Sequence, residues 1–294
     1  MTIPLRPRLS WAAALVAGLT ACTTPHPTAT AAPKGNDAMK STPRKQQVAA
    51  LLHSIETGEP GPVASINPAR YIQHNLAVGD GLAGFGEVLR ALPPGSARAR
   101  VVRAFQDGDF VFAHTDYDFF GAKVGFDVFR FEDGRIVEHW DNLQQKPEKP
   151  NPSGRTMIDG PTEPADLAKT QANKALVRSF LEDVLVGGQA DKLPTYLDGE
   201  RYRQHNPGIA DGLSGLGAAL EQMAKAGLTM RYSKVHKVLG EGSFVLAMSE
   251  GTFAGAPTSF YDLFRVEGGR VVEHWDTLEA IPPPEQWKNA NGKF

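Results

Sequence analysis

Two short stretches of the chain concentrate the residues able to move protons. Residues 126–141 (FDVFRFEDGRIVEHWD) and 261–276 (YDLFRVEGGRVVEHWD) share 11 of 16 positions, and two aspartates and a histidine are among those they share. Both read as strand, turn, strand. A three-residue Glu-Asp-Gly loop with Gly in the left-handed bulge position is a common hairpin connection. It predicts that Phe131 pairs with Arg135, Phe129 with Val137 and Asp127 with His139, with Asp141 on the same face. One face then carries Asp127, His139 and Asp141, and the other carries Arg130, Glu138 and Trp140. In the second copy Asp262, His274 and Asp276 oppose Arg265, Glu273 and Trp275. A two-residue loop is expected to break this grouping, because a one-residue slip turns every side chain over.

Two carboxylates and an imidazole on an otherwise apolar face are costly unless they pair or work. Burial raises a carboxylate pKa and a neighbouring His adjusts it, so such a set can supply a general base near neutral pH without a nucleophile. Two other readings stay open. The groups could form a satisfied structural network, or the His and Asp of each copy could hold a divalent ion. The latter lacks the His-x-x-x-His or Cys-pair spacing of a ligand motif, so neither metal nor other cofactor is expected.

The elements that position these residues are also written twice. Tyr71-Ile72-Gln73-His74-Asn75 through Leu82 matches Tyr202-Arg203-Gln204-His205-Asn206 through Leu213 with 7 identities in 12 at a shift of 131, against 135 for the later block. Two matches in the same order indicate a tandem duplication of a domain-sized unit with four residues inserted between the blocks. Val48, Leu51, Leu52 and Ile55 follow helical spacing, as do Leu176, Val177, Phe180, Leu181 and Val184. A second helix is expected after Asp80 or Asp211, either of which could cap it, carrying Leu82, Phe85 and Leu89 or Leu213, Leu216 and Leu220 inward. Residues 101–131 and 235–266 alternate like strands. Helices leading into an antiparallel sheet make an α+β domain. Residues 146–164 hold five prolines and read as the connection between units.

The motifs Tyr-x-Gln-His-Asn, Asp-x-Phe-Arg and Glu-His-Trp-Asp, spread over residues 45–290, resemble the SnoaL-like branch of the nuclear transport factor 2 superfamily. Asp159-Gly160-Pro161-Thr162-Glu163 and Trp287-Lys288-Asn289 look like tandem members described as SnoaL-like aldol-condensation proteins. The resemblance implies two cone-shaped domains, each with N-terminal helices packed on a curved sheet around a pocket. It also implies that Asp141 and Asp276 stand where the acid/base of the cyclases stands. His74 and His205, with Tyr71 and Tyr202, are then expected from the helical side as donors to a developing enolate or alkoxide. Tyr261, with Tyr202, adds hydroxyls that favour the second copy, since Phe126 replaces Tyr261 in the first. The superfamily holds cyclases, isomerases, dehydratases, epoxide hydrolases and non-catalytic binders, so fold does not settle function.

The ends and the composition bound the setting. Residues 1–22 read as a lipoprotein signal peptide: Arg6 and Arg8 precede an apolar stretch, and Leu19-Thr20-Ala21-Cys22 resembles a lipobox with Cys22 as the lipid attachment site. Residues 23–44 are a Pro, Thr, Ala and Lys spacer. The expected domains are residues 45–145 and 169–294, the latter with a tail, joined by a linker over 146–168. Thr23 in place of Asp favours the outer membrane, so the location expected is periplasmic and lipid-anchored. With 31 Lys and Arg against 33 Asp and Glu, no basic stripe exists to neutralise phosphates, and nucleic acid is not an expected partner. Gly79-Asp80-Gly81-Leu82-Ala83-Gly84 copies the dinucleotide motif by letter, but no strand is predicted before it, so it reads as a helix-entry turn.

The function expected is cofactor-free acid/base chemistry on a small, mostly apolar carbonyl compound: isomerisation, aldol-type cyclisation or dehydration. The alternatives are a lipoprotein that binds a hydrophobic ligand or partner without turnover, and water addition to an epoxide. The open sheet faces of the two domains are expected to meet within a monomer through Trp140 and Trp275.

Overall fold

The computed structural model describes residues 42–92 and 95–294; the segment expected to be a signal peptide, Cys22 and almost all of the expected spacer lie outside the described residues. The remaining chain is α+β and forms two tandem lobes. Lobe 1 contains α1 (Pro43–Thr57), β1 (Ile72–Gln73), α2 (Gly81–Ala91), β2 (Arg98–Asp107), β3 (Phe110–Asp118), β4 (Ala122–Glu132) and β5 (Arg135–Gln145). Lobe 2 contains α3 (Thr170–Phe180), α4 (Leu193–Tyr196), β6 (Arg203–Gln204), α5 (Gly212–Lys225), β7 (Met230–Glu241), β8 (Phe244–Phe253), β9 (Ala256–Glu267) and β10 (Arg270–Ala280). Among the described residues, no helix is long and apolar enough to cross a membrane.

Each lobe has one five-stranded sheet, ordered β1-β5-β4-β3-β2 and β6-β10-β9-β8-β7. The short first strand runs parallel to the last, and the other pairs are antiparallel. On the helix side, Val48, Leu51 and Leu52 of α1 close over Val111, Ala113 and Phe129, while Val177 and Phe180 of α3 close over Val245, Ala247 and Phe264. A third apolar cluster draws Phe105, Phe112, Phe126 and Trp140 from one sheet and Phe244, Met248, Leu263 and Trp275 from the other. Both faces of each sheet are therefore covered, which explains strands with buried residues at consecutive positions instead of strict alternation.

The hairpin differs from the expected register. Glu132 pairs with Arg135 across a two-residue Asp133-Gly134 turn, with φ of 51° and 77°. Two residues in the left-handed region make the tight turn whose twist suits a hairpin. Phe131 pairs with Ile136, not Arg135, and Asp127 pairs with Asp141, not His139. A bulge then spends one extra residue, Val137, so that Arg130 meets Glu138 and Phe129 meets His139. This restores the parity that the shorter loop removes. Lobe 2 repeats the device with Gly268-Gly269 and a bulge at Val272. The expected grouping of Asp, His and Asp on one face thus holds, but through turn plus bulge.

Asp80 and Asp211 stand at the helix starts but do not cap them with their side chains. Each turns back instead to accept the N–H of Gln73 or Gln204. The helix-entry glycines have a packing reason. A Cβ on Gly84 would lie 1.8 Å from the Gly79 carbonyl oxygen, and one on Gly215 would lie 2.4 Å from that of Ala210.

Candidate functional site

In each lobe the sheet face that looks toward the helices carries one cluster: Asp127, His139 and Asp141, or Asp262, His274 and Asp276. In each, one candidate ligand or proton-carrying atom per residue lies within 4.8 Å of the others, and all six residues are buried. The backbone explains the grouping, because Asp127 and Asp141 are direct cross-strand partners and His139 stands two residues along the same face.

The residues that hold the clusters come largely from the Tyr-x-Gln-His-Asn loop. Asn75 donates its side-chain N–H to Asp141 Oδ2 at 2.7 Å, and Asn206 does the same for Asp276 Oδ2 at 2.7 Å. Gln73 Oε1 accepts the backbone N–H of Asn75 and faces His139 Nδ1 at 3.1 Å. Gln204 Oε1 accepts two backbone N–H groups and faces His274 Nδ1 at 3.1 Å. An oxygen already accepting at this spot obliges Nδ1 to donate, so Nε2 of each imidazole is the atom turned toward the carboxylates.

The lobes differ at the next step. In lobe 2, His274 Nε2 lies 3.1 Å from Asp262 Oδ1, and Tyr232 donates its hydroxyl to the same carboxylate. Burial opposes a charge on His274, but the hydrogen bond to Asp262 and the charges of Asp276 and Asp262 hold it above its ordinary value. Burial likewise raises Asp276 above the usual carboxylate range, further pushed by Asp262 and opposed by His274 and Asn206. Asp276 Oδ1 has no hydrogen-bond partner among the described residues. In lobe 1, Thr115 and Tyr117 both donate to Asp127 Oδ2, at 2.9 and 2.8 Å. His139 Nε2 stands 3.5 Å from Asp127 Oδ1, and both His139 Nε2 and Asp141 Oδ1 are buried without a hydrogen-bond partner. Lys293, from the segment after β10, approaches Asp141 Oδ1 at 3.7 Å.

The tyrosine hydroxyls on Asp127 and Asp262 come from different strands. Tyr117 of β3 is paired with Ala99 of β2, whereas Gly251 of β8 is paired with Tyr232 of β7. The large and small members of one cross-strand pair have changed places. Thr115 and Tyr117 were legible in principle, since they follow Ala113, the partner of Asp127, at two and four residues. Tyr232 was not, because two bulges in β7 interrupt the alternation.

Not every expected partner reaches the clusters. Tyr71 and Tyr202 do lie in the helix-side cores, and burial followed by the Asp pairs raises their hydroxyl pKa values. Gln204 donates to Tyr202 Oη at 3.2 Å, which leaves that hydroxyl's proton free to be offered elsewhere. His74 and His205 face the other way. His74 stacks on Trp140 and lies 3.0 Å from Glu138; His205 stacks on Trp275 and lies 2.9 Å from Glu273. They lie on the sheet face opposite the clusters because β1 and β6 alternate like any strand, and Gln73 and Gln204 take the inward positions. Tyr261 is likewise turned into the apolar cluster shared by the two sheets, so it adds no hydroxyl to its own lobe's cluster.

Each opposite-face histidine also receives an arm from the far side of the molecule. Residues 151–156, after lobe 1, cross onto lobe 2, where Asn151 donates to the Gln204 and Ile209 carbonyls and the Thr156 carbonyl meets His205 Nδ1. Residues 288–293, after lobe 2, cross onto lobe 1, where Asn291 donates to the Gln73 carbonyl and the Gly292 carbonyl meets His74 Nδ1. Two surface cavities, of about 320 and 410 Å³, lie away from both clusters. The helices α2 and α5 pack Leu82, Phe85, Leu213 and Leu216 against the helix-side cores, where these side chains are only partly buried.

No family model matches the chain, and no curated protein does. Solved structures give likenesses over part of it. IdmH from Streptomyces antibioticus, a proposed polyketide cyclase, is 21% identical with a TM-score of 0.30 over 35% of this chain and 93% of its own. TsrD from Streptomyces laurentii is 25% identical with a TM-score of 0.30 over 37% and 90%. A proposed ketosteroid isomerase from Kribbella flavida is 20% identical with a TM-score of 0.32 over 40% and 84%. In each case most of the other protein aligns with 35–40% of this chain.

Proposed function

We propose that lobe 2 carries out cofactor-free acid/base chemistry on a small, mostly apolar carbonyl compound, with Asp276 as the base that takes a proton from carbon α to the carbonyl. The observation that carries this reading is Asp276 itself: buried, raised above the usual carboxylate range, and with Oδ1 unpartnered. A carboxylate so placed is strengthened as a base by desolvation yet holds its proton long enough to return it. Asn206 fixes Oδ2 and so aims Oδ1. His274, held above its ordinary value by Asp262 and Asp276, stabilises the carboxylate between turnovers. Tyr202, kept protonated by burial and by the charges of Asp276 and Asp262, supplies the hydrogen bond to the enolate oxygen. Lobe 1 is the weaker candidate for this chemistry because Lys293 stands beside Asp141.

The protein is proposed to work as a lipid-anchored periplasmic monomer. The test of the chemistry is deuterium exchange at the α-carbon, followed by NMR in heavy water over a panel of unsaturated ketones and diketones. Asp276→Asn is expected to lose about 100-fold or more, and Asp141→Asn little. Full exchange in Asp276→Asn removes the base assignment.

A further inference from the structure

We propose that the lobe 1 cluster of Asp127, His139 and Asp141 is a binding site for one first-row divalent cation, and that its lobe 2 counterpart is not. The case begins with atoms that lack partners. Asp141 Oδ1 and His139 Nε2 are each buried with no hydrogen bond, and Asp127 Oδ1 has only the 3.5 Å approach of His139. All three residues are more than nine-tenths buried. Orphaned polar atoms at such depth are rare and costly, and here two of them converge beside Asp127 Oδ1.

The outward atoms point to the same reading. Asp127 Oδ2 accepts Thr115 and Tyr117, Asp141 Oδ2 accepts Asn75, and His139 Nδ1 donates to Gln73. Each candidate ligand is thus oriented by a partner on its far side while its near atom stays free. This is the outer-shell pattern by which proteins aim metal ligands. Gln73 holds His139 by Nδ1 and so turns Nε2 toward the carboxylates.

Charge argues similarly. Two carboxylates are buried together, and Lys293, at 3.7 Å from Asp141, is the only lysine or arginine within 4 Å of either among the described residues. In lobe 2 the same atoms are already engaged: His274 Nε2 lies 3.1 Å from Asp262 Oδ1, and a carboxylate oxygen can only accept, so the nitrogen donates. Its Nε2 is occupied by a proton, and Tyr232 takes up the Asp262 oxygens. Only Asp276 Oδ1 remains unpartnered there. One imidazole nitrogen and two carboxylate oxygens suit Mn²⁺, Fe²⁺, Co²⁺, Ni²⁺ or Zn²⁺ better than the all-oxygen preference of Ca²⁺ and Mg²⁺. The cluster's atoms, within 4.8 Å of one another, close around a ligand distance of about 2.0–2.2 Å through side-chain rotation.

The reading is independent of acid/base chemistry in lobe 2, because binding is measured with no substrate present. The whole chain is titrated with Co²⁺, following its visible absorption and the bound metal after dialysis, then displaced with Zn²⁺. One Co²⁺ per chain is expected. Asp127→Asn and Asp141→Asn should each weaken binding at least about tenfold, and Asp262→Asn should leave it unchanged. Should either lobe 1 variant fail to fold, Lys293→Met decides alone: losing the competing ammonium should tighten binding about tenfold, which is about 1.4 kcal/mol. No Co²⁺ uptake by the folded protein, two equivalents bound, or affinity indifferent to Lys293→Met and the lobe 1 aspartates would overturn the site.

Discussion

Glu273 and Glu138 occupy equivalent places in the two lobes, and replacing each by alanine separates what burial does from what pairing does. Glu273 accepts from His205 Nε2 at 2.9 Å and Arg265 Nε at 2.8 Å with a side chain 1% exposed. Glu138 accepts from His74 at 3.0 Å and Arg130 at 2.6 Å but is 15% exposed. Removing one partner of a buried pair leaves the other charge uncompensated and costs about 3–5 kcal/mol. Where water reaches the partners the cost falls toward the roughly 0–1 kcal/mol of surface pairs. For a cooperative unit of this size each kcal/mol lowers Tm by about 2–4 °C, so Glu273→Ala should melt about 6–20 °C below the parent and Glu138→Ala by about half as much. Thermal and urea denaturation followed by circular dichroism measure both. The pH dependence has a definite sign. Burial alone would raise Glu273, but hydrogen bonds from His205 and Arg265 outweigh it and hold the carboxyl below its ordinary 4.5. Its contribution is therefore fully present above pH 4.5 and lost as pH falls through the lower folded value. Equal losses in the two variants, or a Glu273→Ala deficit that persists undiminished at pH 3, would refute the reasoning.

Four further outcomes are expected. Asp276 is raised by burial, so its stabilising share is complete below its ordinary 3.8 and lost as pH rises through the higher folded value; Asp276→Asn should raise Tm at pH 7 and not at pH 3, in the same melts. Gly84→Ala drives a Cβ into the Gly79 backbone and should cost about 1–3 kcal/mol, while Gly217→Ala, with open space around it in α5, should stabilise by about 0.5–1 kcal/mol by urea titration. Asn151→Ala strips donors from two carbonyls of lobe 2 and should cost about 1–3 kcal/mol. Size-exclusion chromatography with light scattering should find a monomer, because the apolar sheet faces already meet within the chain; a dimer held by those faces would contradict this.

The α+β class and the duplication were legible because they rest on long signals: helical spacing at Val48, Leu51, Leu52 and Ile55, and blocks copied at nearly one offset. The cluster was legible for a less secure reason. Periodicity of two fixes which residues share a face only when loop length and bulges are known, and the chain contains one departure in each. The Asp133-Gly134 turn removes a residue and Val137 returns it, so Asp127, His139 and Asp141 meet although their pairings do not follow the expected register. His74, His205 and Tyr261 show the limit from the other side. Their chemistry is suited to a site, but residue type carries no information about the face it occupies, and a two-residue strand such as β1 is too short to display a pattern.

The two lobes show how a duplicated site can part into two. Both keep Asp, His, Asp, Asn and Gln with the same hydrogen-bond directions, so the shared sequence specifies a frame. What differs is where positive charge comes from. In lobe 2 the imidazole holds it, drawn toward Asp262 by the Nε2 contact at 3.1 Å. In lobe 1 that contact opens to 3.5 Å, the hydroxyls of Thr115 and Tyr117 gather on one oxygen, and an ammonium arrives on the arm that carries Lys293. The Ala99–Tyr117 and Tyr232–Gly251 pairs lie at the root of this difference, since they decide from which strand the hydroxyl comes.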